Sequence, residues 1–339
     1  MTKIMNLSRR IALSAILATS VVSTASAESM SFFRIGTGSA GGTYFPIGGL
    51  IANAISNPPG SRPCSEGGSC GVPGLVAIAQ STNASAHNAT AINAGQMEGG
   101  LVDAAVLYYA YHGEGMFKGK QKQNLRFLAS LYPEDMHLTM PKGDKLSSLA
   151  DLKGKRVGIS PAGSGTQLAV EMILGSHGVN RDNIDEAELN SSQAAERIAD
   201  GQLDANFFAG GTPLASFIQL DNTKGMELYS FSPAEIKDAS KVVPYYVAST
   251  IPAGTYQGVT YDVKTIAVNS IFVVSADLPE EQIYQITKAL WSKHARKLFD
   301  NGHAKGKRIT LETALDGYKG LNVPLHPGAE RFYKEAGLL

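Results

Sequence analysis

A β-type run that enters a loop of glycines and hydroxyl residues, and then a helix, occurs twice in this chain. In the first copy the run Phe32–Ile35 leads into the loop Gly36–Thr43 and an amphipathic helical pattern. In the second copy the run Val157–Ser160 leads into the loop Pro161–Thr166 and a helical pattern over Gln167–Ser176. The start of a helix presents unpaired backbone N–H groups, so each copy predicts a loop that faces an anion.

The segments that follow the two loops also recur in the same order. Each half continues with a serine-containing cap, a helix, a Gly-Gln pair and a predicted strand, Asp103–Tyr109 in the first half and Asp204–Phe208 in the second. Alternating strands and helices predict parallel sheets, whose ligand crevice lies at the carboxyl ends of the strands. The repeat therefore predicts two similar α/β lobes around a shared cleft, with chance similarity between two α/β units as the alternative.

The chain is long enough for two domains, since it has 339 residues. We predict that lobe 1 comprises residues 28–130 and 255–339 and that lobe 2 comprises residues 131–254. The chain would cross between the lobes near residues 128–140 and 250–268, and we expect the hinge there.

A signal peptide is predicted over residues 1–27. This segment has a basic start, the apolar stretch Ile11–Val22 and the A-x-A cleavage site Ala25–Ala27. It implies export to the periplasm, and its arginine pair leaves the Sec and Tat routes open. The whole chain has 30 basic and 30 acidic residues, so removing this basic segment leaves a slight acidic excess and no basic stripe that would indicate nucleic acid.

The only two cysteines are Cys64 and Cys70. Their even number and close spacing favour a structural disulfide in an exported protein. Metal binding is the weaker alternative, because no histidine or third cysteine lies nearby.

A dinucleotide site is one alternative for the first loop, because Gly36–Gly41 matches G-x-G-x-x-G between a strand and a helix. That fingerprint also needs an acidic residue about 20 positions on. No acidic residue follows until Glu66, which lies between the cysteines. No lysine follows the glycines either, so a P-loop is excluded, and we predict that the protein has no cofactor.

A hydrolase is a second alternative. Ser164 lies in Ala162–Gly165, which is not a G-x-S-x-G motif. The seven histidines show neither a pairing pattern nor metal-ligand spacing, although a triad assembled in space stays open. We predict a protein that is not an enzyme and has no catalytic residues or metal site.

Uncharged hydroxyl and amide side chains dominate the loops that remain. Any one of them could simply cap a helix, but together they suit a small polar anion held by neutral donors and helix dipoles. Tyr44 and Tyr256 could close over such a ligand as an aromatic lid. The side chains in question are Thr37, Ser39, Thr43, Tyr44, Ser81, Asn83, Ser85, Asn88, Ser164, Thr166 and Thr212.

The chain resembles the TAXI-type solute receptors of tripartite ATP-independent periplasmic (TRAP) transporters. The resemblance implies a type II periplasmic-binding-protein fold, in which two α/β lobes close over a ligand and then dock on a membrane permease. Family ligands resemble glutamate, glutamine and 2-oxoglutarate. The shared motifs are Gly36–Gly38, Gly41–Tyr44, Cys64–Gly74, Gln80–Ser81, Tyr132–Glu134, Leu152–Val157, Gly163–Thr166, Gly211–Pro213 and His326–Ala329.

The resemblance also implies which residues line the cleft and which partners the protein has. We expect a monomer that binds a small carboxylate or amino acid and delivers it to TRAP permease subunits; a periplasmic ligand sensor is the alternative. These loops depart from many relatives at Asn83–Ala84, and they offer no arginine as a carboxylate clamp. The predicted ligand-binding residues are Thr37, Gly38, Ser39, Gly42, Thr43, Tyr44, Ser81, Thr82, Asn83, Ser164, Gly165, Thr166, Gly211, Thr212, Pro213 and Tyr256.

Overall fold

Strands alternate with helices throughout the computed structural model, which describes residues 30–339. The signal peptide predicted over residues 1–27 lies outside this range. The strands are β1 Ser31–Gly36, β2 Ser56–Asn57, β3 Val72–Pro73, β4 Leu75–Gln80, β5 Gly99–Asp103, β6 Leu125–Pro141, β7 Arg156–Gly158, β8 Asp185–Ala187, β9 Ala205–Gly210, β10 Met226–Leu228, β11 Val247–Ile251 and β12 Val263–Ser275. The helices are α1 Tyr44–Ile55, α2 Ser85–Asn93, α3 Ala104–His112, α4 Gly165–Ser176, α5 Ser191–Ala199, α6 Ala215–Thr223, α7 Pro233–Val242, α8 Glu280–Leu290, α9 Lys293–Gly302, α10 Tyr318–Leu321 and α11 Pro327–Glu335.

A single mixed sheet contains most of the strands, in the order β4-β1-β5-β12-β6-β9-β7-β8. Strands β4, β1 and β5 are parallel on one side of it, and β9, β7 and β8 are parallel on the other. The long antiparallel strands β12 and β6 lie between the two parallel sets. The predicted α/β class, with two α/β halves and strands that cross between them, is confirmed.

Strand β6 is one continuous element of 17 residues. The sequence pattern predicts two shorter strands, Leu125–Leu131 and Met136–Met140, on either side of Tyr132–Asp135. That prediction is wrong because Glu134 and Asp135 are buried rather than exposed to solvent. They pair with β12 across a ladder whose register shifts after Ser270, so the polar residues lie inside the crossing between the halves.

The segment after β5 is a helix, whereas its sequence predicts a strand over Asp103–Tyr109. Strand β5 ends at Asp103, whose carboxylate caps α3 by accepting a hydrogen bond from the Val106 N–H at 2.8 Å. Strand β5 begins with Gly99 and Gly100, which have no side chains, so the sequence does not show the apolar pattern of a strand there. These glycines are needed for close packing, since a Cβ on Gly100 would lie 3.0 Å from the Gly36 carbonyl oxygen.

Two apolar clusters stabilise the fold. The larger spans the first half and the crossing strands and continues into α4 and β7, and it includes Phe33, Ile51 and Phe272. The smaller lies beside α5, α6 and β9 and includes Phe217 and Tyr256. Within residues 30–339, none of the helices combines the length and the apolar character needed to cross a membrane.

Cys64 and Cys70 form the predicted disulfide, in an exposed loop between β2 and β3. We expect the double substitution Cys64→Ser/Cys70→Ser to lower the free energy of unfolding by about 2 kcal/mol, because the bond closes a short loop in the unfolded chain. Urea unfolding of the oxidised wild type and the variant would measure this difference. An unchanged midpoint would show that the loop is already constrained in the unfolded state.

Candidate functional site

A cavity of about 510 Å³ lies between the two halves, beyond the carboxyl ends of β1, β4, β5 and β9. Both repeated glycine–hydroxyl loops contribute to its wall, as the parallel-sheet argument predicts. The predicted residues that line it are Gly38, Ser39, Gly42, Thr43, Tyr44, Ser81, Thr82, Asn83, Ser164, Gly165 and Thr166.

Besides α3, whose N-cap Asp103 is in the wall, four helices begin at the wall of this cavity. Tyr44, Ser85 and Gly165 are the first residues of α1, α2 and α4, and Asn190 caps α5. The N-terminus of a helix carries a partial positive charge on its unpaired N–H groups, so these four ends together favour a negatively charged ligand group. The sequence repeat predicts two of them, at α1 and α4.

The hydroxyls of the second loop have main-chain partners. Ser164 Oγ accepts from the Gln167 N–H at 3.1 Å and so caps α4, while Thr166 Oγ1 accepts from the Ala209 N–H at 3.0 Å. Ser164 therefore caps a helix, which is one of the two roles, capping or ligand binding, that the sequence allows for it. Within the described chain neither hydroxyl donates a hydrogen bond, so both can still donate to a ligand.

Five of the predicted residues do not line the cavity: Thr37, Gly211, Thr212, Pro213 and Tyr256. The Thr37 hydroxyl donates at 2.7 Å to the main-chain carbonyl of the last β4 residue, so it ties β1 to β4. The Thr212 hydroxyl donates at 2.5 Å to the buried carboxylate of Asp135. Both threonines are used internally, which sequence spacing alone does not reveal.

Tyr256 does not form an aromatic lid with Tyr44. Its side chain is only 1 % exposed, and its hydroxyl accepts from the Leu214 N–H at 3.0 Å and lies 2.9 Å from His137 Nε2. The Tyr256 hydroxyl therefore donates to Nε2 of a neutral His137, whose Nδ1–H faces main-chain carbonyls. Burial lowers the pKa of His137 to about 4, which favours this neutral form.

Sequence reasoning missed three carboxyl groups in the wall: Asp103 and Glu134, which are 3 % and 4 % exposed, and Glu188, which accepts a hydrogen bond from Gln167 Nε2 at 2.8 Å. Burial raises the pKa of Asp103 to about 6. Burial, and secondarily the negative charge of Asp103, raises the pKa of Glu134 well above its usual value. One signal could have found Asp103: an acidic residue directly after an apolar strand lies at the ligand edge of a parallel sheet.

The two halves touch each other around the cavity. The Ala86 N–H donates to the Gly163 carbonyl at 3.0 Å, and the Thr43 hydroxyl donates to the Gly211 carbonyl at 2.7 Å. At Gly165 the approach is closer still, because a Cβ there would overlap the carboxylate of Asp103. The structure therefore shows the halves closed on one another.

A family model for the NMT1-like family matches residues 35–337, which is nearly all of the described chain. The chain belongs to the NMT1-like family. Solved structures with a similar fold include the alkanesulfonate-binding protein of Xanthomonas axonopodis pv. citri bound to MOPS, at 18 % identity and a TM-score of 0.47 over 90 % of this chain and 84 % of that one. An ancestral arginine-binding protein bound to arginine is 15 % identical, with a TM-score of 0.48 over 80 % of this chain and 98 % of that one.

Two of the four residues other than glycine that have a positive φ within residues 30–339 of this NMT1-like protein lie next to the cavity. Ala84, at the start of α2, and Ser160, just before the second loop, have φ angles of 66° and 69°. Such values cost a residue other than glycine on the order of 1–3 kcal/mol and persist only where the surroundings enforce them. Here the Thr82 hydroxyl oxygen accepts from the Ala84 N–H at 3.0 Å, and the Ser160 hydroxyl donates to the Phe207 carbonyl at 3.0 Å.

Proposed function

We propose that this protein is the extracytoplasmic solute-binding subunit of a TAXI-type TRAP transporter. It captures a small carboxylate or amino acid, such as glutamate, glutamine or 2-oxoglutarate, and releases it unchanged to a membrane permease. The observation that carries the proposal is the cavity at which helix N-termini and hydroxyl loops from both halves converge.

The physical basis is a set of fixed neutral donors. Each helix N-terminus contributes roughly 0.3–1 kcal/mol to an anionic group at a surface, and more where water is excluded. Hydrogen bonds from N–H groups to a carboxylate are charge-assisted, so they are stronger than those between neutral groups. A carboxylate can therefore bind here without an arginine clamp.

Capture would proceed by hinge closure. The crossing strands β6 and β12 connect the halves, so bending within them would open the cavity. We keep residues 28–130 as the first part of lobe 1 and residue 131 as the start of lobe 2. We propose, however, that lobe 2 extends into β12 rather than ending at residue 254. Tyr256 packs in the cluster of the second half, and β11 pairs with the first part of β12.

The TRAP assignment rests on the TAXI motifs together with membership of the NMT1-like family. A periplasmic location follows from the predicted signal peptide, and we expect a monomer. A sensor for a membrane kinase would use the same binding event, and a permease gene next to this one would favour transport. The hydrolase alternative gains no support, because Ser164 Oγ accepts from a backbone N–H and no histidine lines the cavity within residues 30–339.

Scanning calorimetry against a panel of carboxylates and amino acids would test the proposal. A ligand present at 100 times its dissociation constant should add about 2.7 kcal/mol to the free energy of unfolding. Mass spectrometry of the small molecules that co-purify would identify the ligand independently. If no carboxylate or amino acid raised the melting temperature, the proposed function would be wrong.

A further inference from the structure

We propose that Asp103 and Glu134 bind an ammonium group, so that the captured solute is an α-amino acid rather than an oxo or hydroxy acid. This inference rests on the proposed function and defines the ligand class of the same cavity. The helix N-termini would hold the ligand carboxylate, and the two acidic side chains would hold its amine.

The first observation is an unsatisfied carboxylate oxygen. Glu134 lines the cavity and is almost fully buried, and its Oε1 has no hydrogen-bond partner in the part of the chain that the structure describes. The neighbouring hydroxyls of Tyr44 and Ser270 are neutral, so within the described residues this buried carboxylate has no cation at hydrogen-bond distance to compensate its charge. An ammonium group supplies three donors and a compensating charge.

The second observation is the position of Asp103, on the same cavity wall. Its Oδ1 accepts from the Val106 N–H, while its Oδ2 lies against the backbone of Gly165 at the start of α4. A group held by Asp103 therefore lies next to the helix end that favours the ligand carboxylate. The α-carbon of an amino acid carries both charged groups, so it matches this juxtaposition.

The third observation is the lack of a compensating cation. No lysine, arginine or histidine lines the cavity among residues 30–339. Tyr44, Tyr132 and Tyr246 surround the two acids, and burial raises the pKa of each phenol, so they stay neutral. The remaining charged groups nearby are Glu188, which also lines the cavity and accepts a hydrogen bond from Gln167 Nε2 at 2.8 Å, and Lys305, whose Nζ is bound to Asp135 at 3.0 Å.

Two buried carboxylates without a cation disfavour their own ionisation, because burial and mutual repulsion both act against the charged forms. An ammonium group reverses this effect by attracting both. Binding of an amine should therefore release protons, and its affinity should fall as the pH is lowered through about 6, the pKa of Asp103. A bare carboxylate that was bound by the protonated acids would show the opposite pH dependence.

Isothermal titration calorimetry would test the proposal with four compounds. L-glutamate and L-glutamine are the amino acids, 2-oxoglutarate is the matching oxo acid, and 1,4-diaminobutane carries amines but no carboxylate. We expect the amino acids to bind at least about 100-fold more tightly than 2-oxoglutarate, because the oxo acid leaves a buried charge unpaired. Titrations at pH 5 and pH 8 should show weaker amino-acid binding at the lower pH. Equal or tighter binding of 2-oxoglutarate, or the opposite pH dependence, would overturn the inference.

Glu134→Gln keeps the shape of the side chain and removes its charge. We expect it to weaken amino-acid binding about 100-fold and to reduce the preference over 2-oxoglutarate. Glu235→Gln is the matched control, because Glu235 is also buried but is hydrogen-bonded to Tyr229, Ser232 and Leu149 outside the cavity. Unchanged amino-acid affinity in a folded Glu134→Gln protein would contradict the proposal.

The same titrations separate this inference from the proposed function. Tight binding of both L-glutamate and 2-oxoglutarate would support carboxylate capture and overturn the amine site. Binding of 1,4-diaminobutane alone would show that the two acids attract amines, but it would overturn both carboxylate capture and the α-amino acid as the solute. If none of these compounds bound, both would be contradicted.

Discussion

Gly165→Ala should abolish ligand binding while the protein stays folded. The new methyl group would overlap the Asp103 carboxylate, which reaches Gly165 from the other half of the molecule. The closed arrangement therefore becomes inaccessible, and a cavity built from both halves cannot form. We expect at least a 100-fold loss of affinity, which corresponds to about 2.7 kcal/mol.

Stability should change little in this variant, because alanine is a better helix former than glycine and the overlap can be relieved by opening the hinge. Calorimetric titration with the tightest ligand of the panel would measure the affinity, and small-angle scattering would report closure. Gly175→Ala is the control, since Gly175 lies in the same helix with nothing within 4 Å of its added methyl group. Wild-type affinity in Gly165→Ala would show that binding does not require this contact.

The sequence repeat predicted the two α/β halves well because each copy depends on interactions between residues that are close together in the sequence. A glycine loop between a strand and a helix needs glycine and hydroxyl residues for reasons that operate within a few positions. The loops at Gly38–Tyr44 and Ser164–Thr166 were therefore correctly placed at the cavity. Cys64 and Cys70 were equally predictable, since the chain offers only one pairing.

The charged part of the site was not predictable in the same way. Glu134 lies in the interior of a strand that the sequence pattern divides into two runs, and its burial depends on pairing with β12, far away in sequence. The partners of Thr212 and Tyr256 are Asp135 and His137, also distant in sequence. Hydroxyl residues look alike in a sequence whether they face a ligand or a buried carboxylate, so long-range contacts decide their role.

The second large effect is expected at Lys305, which forms a buried ion pair with Asp135. The Lys305 and Asp135 side chains are 13 % and 6 % exposed, and Asp135 also accepts hydrogen bonds from Thr212 at 2.5 Å and Ser249 at 2.7 Å. Asp135 lies in β6 where the strand pairs with both β9 and β12, so this network joins the segments at the crossing. Removing the lysine leaves a buried carboxylate with only hydroxyl donors.

Lys305→Met should lower the free energy of unfolding by about 3 kcal/mol, because breaking one end of a buried pair leaves an uncompensated charge. Urea unfolding at pH 7 would measure the loss. Lys307→Met, an exposed position in the same turn, should change stability by no more than about 0.5 kcal/mol.

The double variant Asp135→Asn/Lys305→Met should be more stable than Lys305→Met alone, since no buried charge remains. A double variant that was less stable than the single one would show that hydrogen bonding by Asp135, rather than its charge, holds the crossing together.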